Sequence, residues 1–114
     1  MTHDLRYKQW LEIADDLEAL HAFVYSERGP FARFRHEPVR PTAAEASNWI
    51  RNKCAKGYWY WWDKTTLGGK AEEPLRTLQR VIGDGSGLYE NKEACEEMIA
   101  KIERLHARIV ATRK

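Results

Sequence analysis

Apolar residues alternate at three- and four-residue spacing in two segments, one toward each end of this 114-residue chain. The first series is Trp10, Ile13, Leu17, Leu20 and Val24, and the second is Cys95, Met98, Ile102, Leu105 and Ile109. This spacing places each series on one narrow stripe of an α-helix. The pattern predicts two long helices, over residues 4–27 and 89–112, that pack along one another.

The sequence Thr42-Ala43-Ala44-Glu45 predicts the start of a shorter helix over residues 43–56. In such a capping box the Thr hydroxyl accepts a free backbone N–H, and the Glu side chain reaches back to the N–H of the Thr. Gly57 is expected to end the helix. Its inner face is expected to consist of Ala46, Trp49, Ile50 and Cys54.

A second short helix is predicted over residues 72–82, with Pro74 in its first turn. The preceding Leu67-Gly68-Gly69-Lys70 is typical of a turn, and the glycine-rich residues 83–87 of a flexible break. Residues 30–41 contain three prolines, which exclude a long helix. We therefore expect an extended connector there, held to the core by Phe31 and Phe34.

Three conformations remain open for residues 58–66, which begin Tyr58-Trp59-Tyr60-Trp61-Trp62. Aromatic residues favour strands, so a short strand could pair with residues 31–35 in a two-stranded ribbon. An extended loop and a continued helix are the alternatives. Together these patterns predict a single all-α domain over residues 1–114. It is a small four-helix bundle, two long and two short, with an irregular or short β-ribbon basic and aromatic insertion.

The net charge of +2 conceals a strong asymmetry along the chain. Residues 1–27 carry a net charge of −4, and residues 81–114 carry none. Residues 28–80 contain eleven Lys or Arg against five Asp or Glu, a net charge of +6. A positive segment of this kind attracts anionic partners.

The same positive segment contains four of the five tryptophans. Cations neutralise phosphates and aromatic rings stack on unpaired bases, which favours nucleic-acid binding. Trp, Tyr and Arg are also enriched in protein–protein hot spots. The simplest alternative is an aromatic core beneath a solvated basic face. The candidate binding residues are Arg33, Arg35, Arg40, Arg51, Lys53, Lys56, Trp59, Trp61, Trp62 and Lys64.

Residue spacings typical of enzymes and metal sites are missing from the sequence. The four histidines and two cysteines form no His-x₃-His, Cys-x₂-Cys or His-Glu-x-x-His pattern, and no Gly-x-Ser-x-Gly occurs. We therefore expect no catalysis, no metal and no cofactor. His21 and His106 are expected to approach each other as structural residues if the long helices pair.

The expected location is cytoplasmic, with no membrane contact. No apolar run approaches the roughly 18 residues of a membrane-spanning helix, and the N-terminus has no apolar signal region. Cys54 and Cys95 are accordingly expected to be reduced and buried. Narrow helical stripes also permit pairing between chains, so a homodimer is a further candidate state.

The stretch Arg28-Gly29-Pro30-Phe31-Ala32-Arg33-Phe34-Arg35 resembles an Arg-Gly-x-x-Ala-x-x-Arg stretch in helical small subunits of CRISPR surveillance complexes. Those subunits are basic bundles that line the nucleic-acid strand, so the resemblance implies a helical accessory subunit. It covers eight of the 114 residues, and no site residue is carried over from it.

The predicted function is that of a non-enzymatic accessory or adaptor protein. It would dock its basic and aromatic surface onto nucleic acid, through single strands or backbone contacts, or onto a nucleic-acid-handling complex. The alternative is a small protein-binding inhibitor or regulator, of the kind that phages and mobile elements encode, which occludes a host protein.

Overall fold

The computed structural model describes residues 5–32, 36, 38–56, 63–83 and 92–112. These residues form four α-helices and, within the described ranges, no strand. The helices are α1 (Leu5–Val24), α2 (Ala43–Ala55), α3 (Asp63–Gly83) and α4 (Lys92–Ala111). Both α1 and α3 pack against α2 and α4, so α1 lies diagonally opposite α3 in the bundle. The prediction of an all-helical bundle is confirmed.

The two apolar series form the centre of the core, as their spacing predicted. Every residue of the α1 series is at most 2% exposed, and every residue of the α4 series at most 5%. Contacts between the two helices pair low residue numbers of α1 with high numbers of α4. Phe23 lies beside Lys101, whereas Glu12 and Asp16 lie beside Arg108. The two helices therefore run antiparallel along one another.

Helix α1 ends at Val24, three residues before the predicted end, because the chain folds back over its last turn. The backbone N–H of Phe31 donates a 2.9 Å hydrogen bond to the carbonyl of Val24. This return passes so close to the helix that a Cβ on Gly29 would lie 2.1 Å from the Phe23 carbonyl oxygen. Only glycine fits at that point without a shift of the backbone. Phe31 itself is fully buried and holds the connector to the core, as expected.

Helix α2 begins at Ala43, and the Thr42 half of the predicted capping box is present. The Glu45 backbone N–H donates a 3.1 Å hydrogen bond to Thr42 Oγ1, and the Glu45 carboxylate contacts Arg40. Ala46 and Ile50 are buried on its inner face. The prediction that Trp49 also lies inside is wrong, since its side chain is 36% exposed.

Helix α3 is much longer than predicted, and the turn expected at residues 67–70 is wrong. The helix begins at Asp63 and continues through Gly68 and Gly69. Leu67 and Ala71 are fully buried, so the apolar stripe of α3 extends two turns further toward the N-terminus than residues 72–82. Burial of a leucine contributes about 1.5–3 kcal/mol, which offsets a cost of roughly 1 kcal/mol for each helical glycine.

This extension changes the proportions of the bundle. Helices α1, α3 and α4 have 20, 21 and 20 residues, and only α2 is short at 13. The prediction of two long and two short helices is therefore wrong. Pro74 lies in the middle of α3 rather than in a first turn. Of the segment with three open conformations, residues 63–66 are helical, while residues 58–62 lie outside the described part of the chain. The ribbon predicted between residues 31–35 and 58–66 is not seen within the described ranges. Residues 33–35 and 58–62 of these two segments lie outside those ranges.

Candidate functional site

The structure places only part of the predicted basic and aromatic site. Five of its residues lie outside the described part of the chain: Arg33, Arg35, Trp59, Trp61 and Trp62. Lys64 is in the first turn of α3, and only its backbone is described. The structure describes the side chains of the other four, so their contacts and exposure can be compared: Arg40, Arg51, Lys53 and Lys56.

Arg40 and Arg51 bind carboxylates of their own chain. Arg51 on α2 forms ion pairs with Asp15, at 2.7 Å, and with Glu18, both on α1. Hydrogen bonds to these two carboxylates raise the pKa of Arg51 above its ordinary value. Arg40 likewise pairs with Glu45. Because these charges are already compensated, the two arginines attract an external anion less than a solvated lysine does.

The other two cations share a helix face with Trp49. Trp49 and Lys53 lie on α2, and Lys56 is the C-cap residue that continues its helical conformation. Their spacing of four and three residues places all three on one side of the helix. Lys56 is exposed and Lys53 is half-buried. Trp49 and Leu11 are the large apolar side chains that stand exposed in the described part of the chain.

Helix α3 adds a further cation to this face. Lys70 Nζ lies 5.8 Å from the centre of the Trp49 ring, within the range of a cation–π contact. A Cβ placed on the neighbouring Gly69 would meet no atom within 4 Å, so this part of the surface is open. We call Trp49, Lys53, Lys56 and Lys70 the α2–α3 surface.

Sequence reasoning missed two members of the α2–α3 surface. The spacing of Trp49 with Ala46, Ile50 and Cys54 predicts a place in the core, whereas its spacing with Lys53 and Lys56 places it beside these lysines. Lys70 was assigned to a turn, and nothing in the sequence fixes the register between α2 and α3. The predicted residues that the structure does bring together are Lys53 and Lys56.

A groove of about 290 Å³ lies between α1 and α4, away from α2. Its floor includes Leu20 and Leu105, and its rim carries Lys101, Arg104 and Arg108. Arg108 is engaged by both Glu12, at 3.2 Å, and Asp16. The charges on this side are therefore mixed.

The environments of the two cysteines disfavour the reactive thiolate form. Burial raises the pKa of the Cys54 thiol, and burial together with Glu96 raises that of Cys95. Both thiols are thus held in the protonated, unreactive form at neutral pH. Among the described residues, no group of three or more His, Cys, Asp or Glu is arranged to hold a metal ion.

Two titratable groups on the helices, Glu72 and His21, are partly or fully buried. Glu72 is 1% exposed, and its carboxylate binds Arg76 one turn along α3 at 2.6 Å. His21 packs on Tyr25 with ring centres 4.8 Å apart, and its Nδ1 is buried without a hydrogen-bond partner. Burial lowers the pKa of His21, and the nearby Glu45 charge partly opposes this. His106 is exposed on α4.

Comparisons with protein-family models, with curated proteins and with solved structures found no match to this chain. The eight-residue resemblance to CRISPR small subunits therefore remains a prediction. None of the helices, over the residues described, combines the length and apolar character needed to cross a membrane.

Proposed function

We propose that this protein is a non-enzymatic accessory or adaptor protein that docks the α2–α3 surface onto nucleic acid. The observation that carries the proposal is the exposed Trp49 ring with Lys70 beside it and Lys53 and Lys56 along the same helix face. Exposed aromatic rings among cations combine stacking with phosphate neutralisation, which is how sequence-tolerant nucleic-acid-binding surfaces work.

The distribution of ion pairs supports this choice of surface. Arg51 and Arg108 flank α1 from its two neighbouring helices, and both bind α1 carboxylates. These contacts neutralise much of the acidic face of α1 within the molecule. Lys56 and Lys70 project from the other side of α2 and from α3, where they remain exposed to solvent. An approaching polyanion is therefore attracted by the exposed lysines of the α2–α3 surface.

The proposal is tested by fluorescence anisotropy with labelled single-stranded and duplex oligonucleotides at low and moderate salt. The test variant carries Lys56→Glu and Lys70→Glu. The matched control carries Lys101→Glu and Arg104→Glu, which make the same change in net charge on α4. We expect the wild type to bind, with affinity falling linearly with salt on logarithmic scales. The test variant should lose most of that affinity, and the control should retain it.

Either of two results would overturn the proposal. The first is no binding by the wild type at low salt, after which co-purification would test a protein partner for the same surface. The second is an equal loss in both variants, which would show that net charge alone drives the association.

A further inference from the structure

We infer that the α2–α3 surface selects single-stranded nucleic acid by stacking one unpaired base on the indole of Trp49. This inference rests on the proposed function and adds the class of nucleic acid and the residue that distinguishes it. The two tryptophans in the described part of the chain differ sharply: Trp10 is 1% exposed within the core, and Trp49 is 36% exposed. Burial of Trp10 explains its presence, whereas Trp49 contributes much less to the core.

The geometry favours a single strand over a duplex. A base pair inside a duplex has both faces covered by its neighbours, so it has no face to offer to a protein ring. Trp49 is 36% exposed, so part of its side chain can be reached from solvent without insertion between paired bases. An unpaired base can therefore reach Trp49 directly, whereas a duplex would have to unstack first.

Lys70 lies where it can bind the phosphate next to the stacked base. Its ammonium lies over the ring, 5.8 Å from the ring centre. A base that stacks on this face displaces the flexible Lys70 side chain, whose ammonium then lies beside the base. The cation also strengthens the electrostatic attraction between the protein and the strand. The ring and the ammonium come from different helices, so the packing of α2 against α3 sets their separation.

Lys53 and Lys56 extend the same path along α2. At a rise of 1.5 Å per residue, Lys53 lies about 6 Å and Lys56 about 10 Å along the axis from Trp49. At about 3.4 Å per stacked nucleotide, this distance corresponds to about three nucleotides. The surface therefore fits a short stretch of strand, with one base on the ring and phosphates on the lysines that follow.

The test compares Trp49→Ala with Trp49→Phe, using a short oligothymidylate and an abasic strand of the same length and charge. Loss of a stacked base should weaken oligothymidylate binding by roughly 5- to 150-fold in Trp49→Ala. Trp49→Phe should retain most of the affinity, because it keeps an aromatic face. Binding of the abasic strand should be unchanged in both variants, since phosphate contacts remain. Leu11→Ala is the matched control, because Leu11 is 41% exposed on another helix.

The outcomes separate this inference from the function on which it rests. If Trp49→Ala binds both strands as the wild type does, stacking on Trp49 is overturned while electrostatic docking stands. Wild-type affinity for duplex equal to that for single strand would overturn the selection of single strands in the same way. If the wild type binds no strand at low salt, the proposed function itself fails.

Discussion

The hydroxyl oxygen of Tyr25, just beyond the end of α1, accepts a 2.8 Å hydrogen bond from the backbone N–H of Val39, just ahead of α2. Tyr25 is 8% exposed, and its ring meets Phe31 edge to face with centres 5.9 Å apart. This bond joins two residues that are 14 positions apart in the chain, across the connector between the two helices. It fixes the connector on which the start of α2 depends.

Tyr25→Phe should therefore lower the free energy of unfolding by about 1–2 kcal/mol. The ring and its packing remain, but a partly buried N–H loses its acceptor. Urea denaturation monitored by circular dichroism measures the change. His36→Gln, an exposed change in the same connector, should alter stability by less than about 0.5 kcal/mol. Equal stability of Tyr25→Phe and wild type would mean that the bond does not hold the connector in solution.

Ser47 provides a second, fully buried link between α1 and α2. Its Oγ donates a 2.7 Å hydrogen bond to the carbonyl oxygen of Ala14, and both residues are at most 1% exposed. Ser47→Ala should lower the free energy of unfolding by about 0.5–1.5 kcal/mol, the usual net value of such a bond. Ser47→Val should cost more, about 1–3 kcal/mol, because the close approach of the helices leaves no room for added methyl groups.

The neighbouring Asn48 offers a control for Ser47, since it is exposed on the same helix. Asn48→Ala should be neutral or slightly stabilising, because alanine is the better helix former. Urea titrations of the three variants decide between these expectations. A Ser47→Val variant as stable as the wild type would contradict the close packing of α1 on α2.

Substitution by alanine is expected to change the stability of the protein in opposite directions at two glycines. Gly69 lies inside α3, and a Cβ there would meet nothing within 4 Å, so Gly69→Ala should stabilise the protein by about 0.5–1 kcal/mol. Gly29→Ala should destabilise it, because the new Cβ would lie 2.1 Å from the Phe23 carbonyl oxygen. Thermal and urea unfolding of the two variants measure both changes in stability. Destabilisation by Gly69→Ala would favour the turn that the sequence predicted there.

Some elements of this fold could be predicted from the sequence alone, and others could not. The buried stripes of α1 and α4 follow from spacing alone, because a narrow apolar series has one way to be buried on a helix. Gly68 and Gly69 are local turn signals, but the burial of Leu67 is a tertiary effect that local patterns do not contain. The start of α3 therefore could not be predicted from the sequence.

The set of residues that come together in the candidate site depends even more on how the helices are aligned with one another. The spacing of Trp49 with Ala46 and Ile50 predicted its burial. However, α2 meets α1 through the small Ser47, and Trp49 lies to one side of that contact. The pairing of Arg51 with two α1 carboxylates and the position of Lys70 beside Trp49 each depend on how one helix is aligned with another. The spacing of residues along the chain does not determine those alignments.

His21 should make the stability of the protein depend on pH. Burial, opposed in part by Glu45, lowers its pKa below the ordinary value of 6.5, so the unfolded chain binds a proton more readily than the folded one. Stability from neutral His21 is therefore present above about pH 6.5 and is lost as pH falls from there through the lowered pKa. Urea denaturation across this range should show the loss. His21→Gln should reduce it, whereas His106→Gln, at an exposed position on α4, should retain it.

Substitutions at Arg51 and Lys56 distinguish a direct contact with nucleic acid from a general effect of the protein's net charge. Each substitution to glutamine removes one positive charge from the C-terminal half of α2, but Arg51 is bound by Asp15 and Glu18 and Lys56 is exposed. Lys56→Gln should lower the slope of log affinity against log salt by about 0.7, the value for one single-strand phosphate. Arg51→Gln should leave that slope unchanged and instead lower the urea midpoint, because α1 loses its ion pairs with α2. Equal slopes for both variants, measured by anisotropy over a salt series, would mean that Lys56 contacts no phosphate.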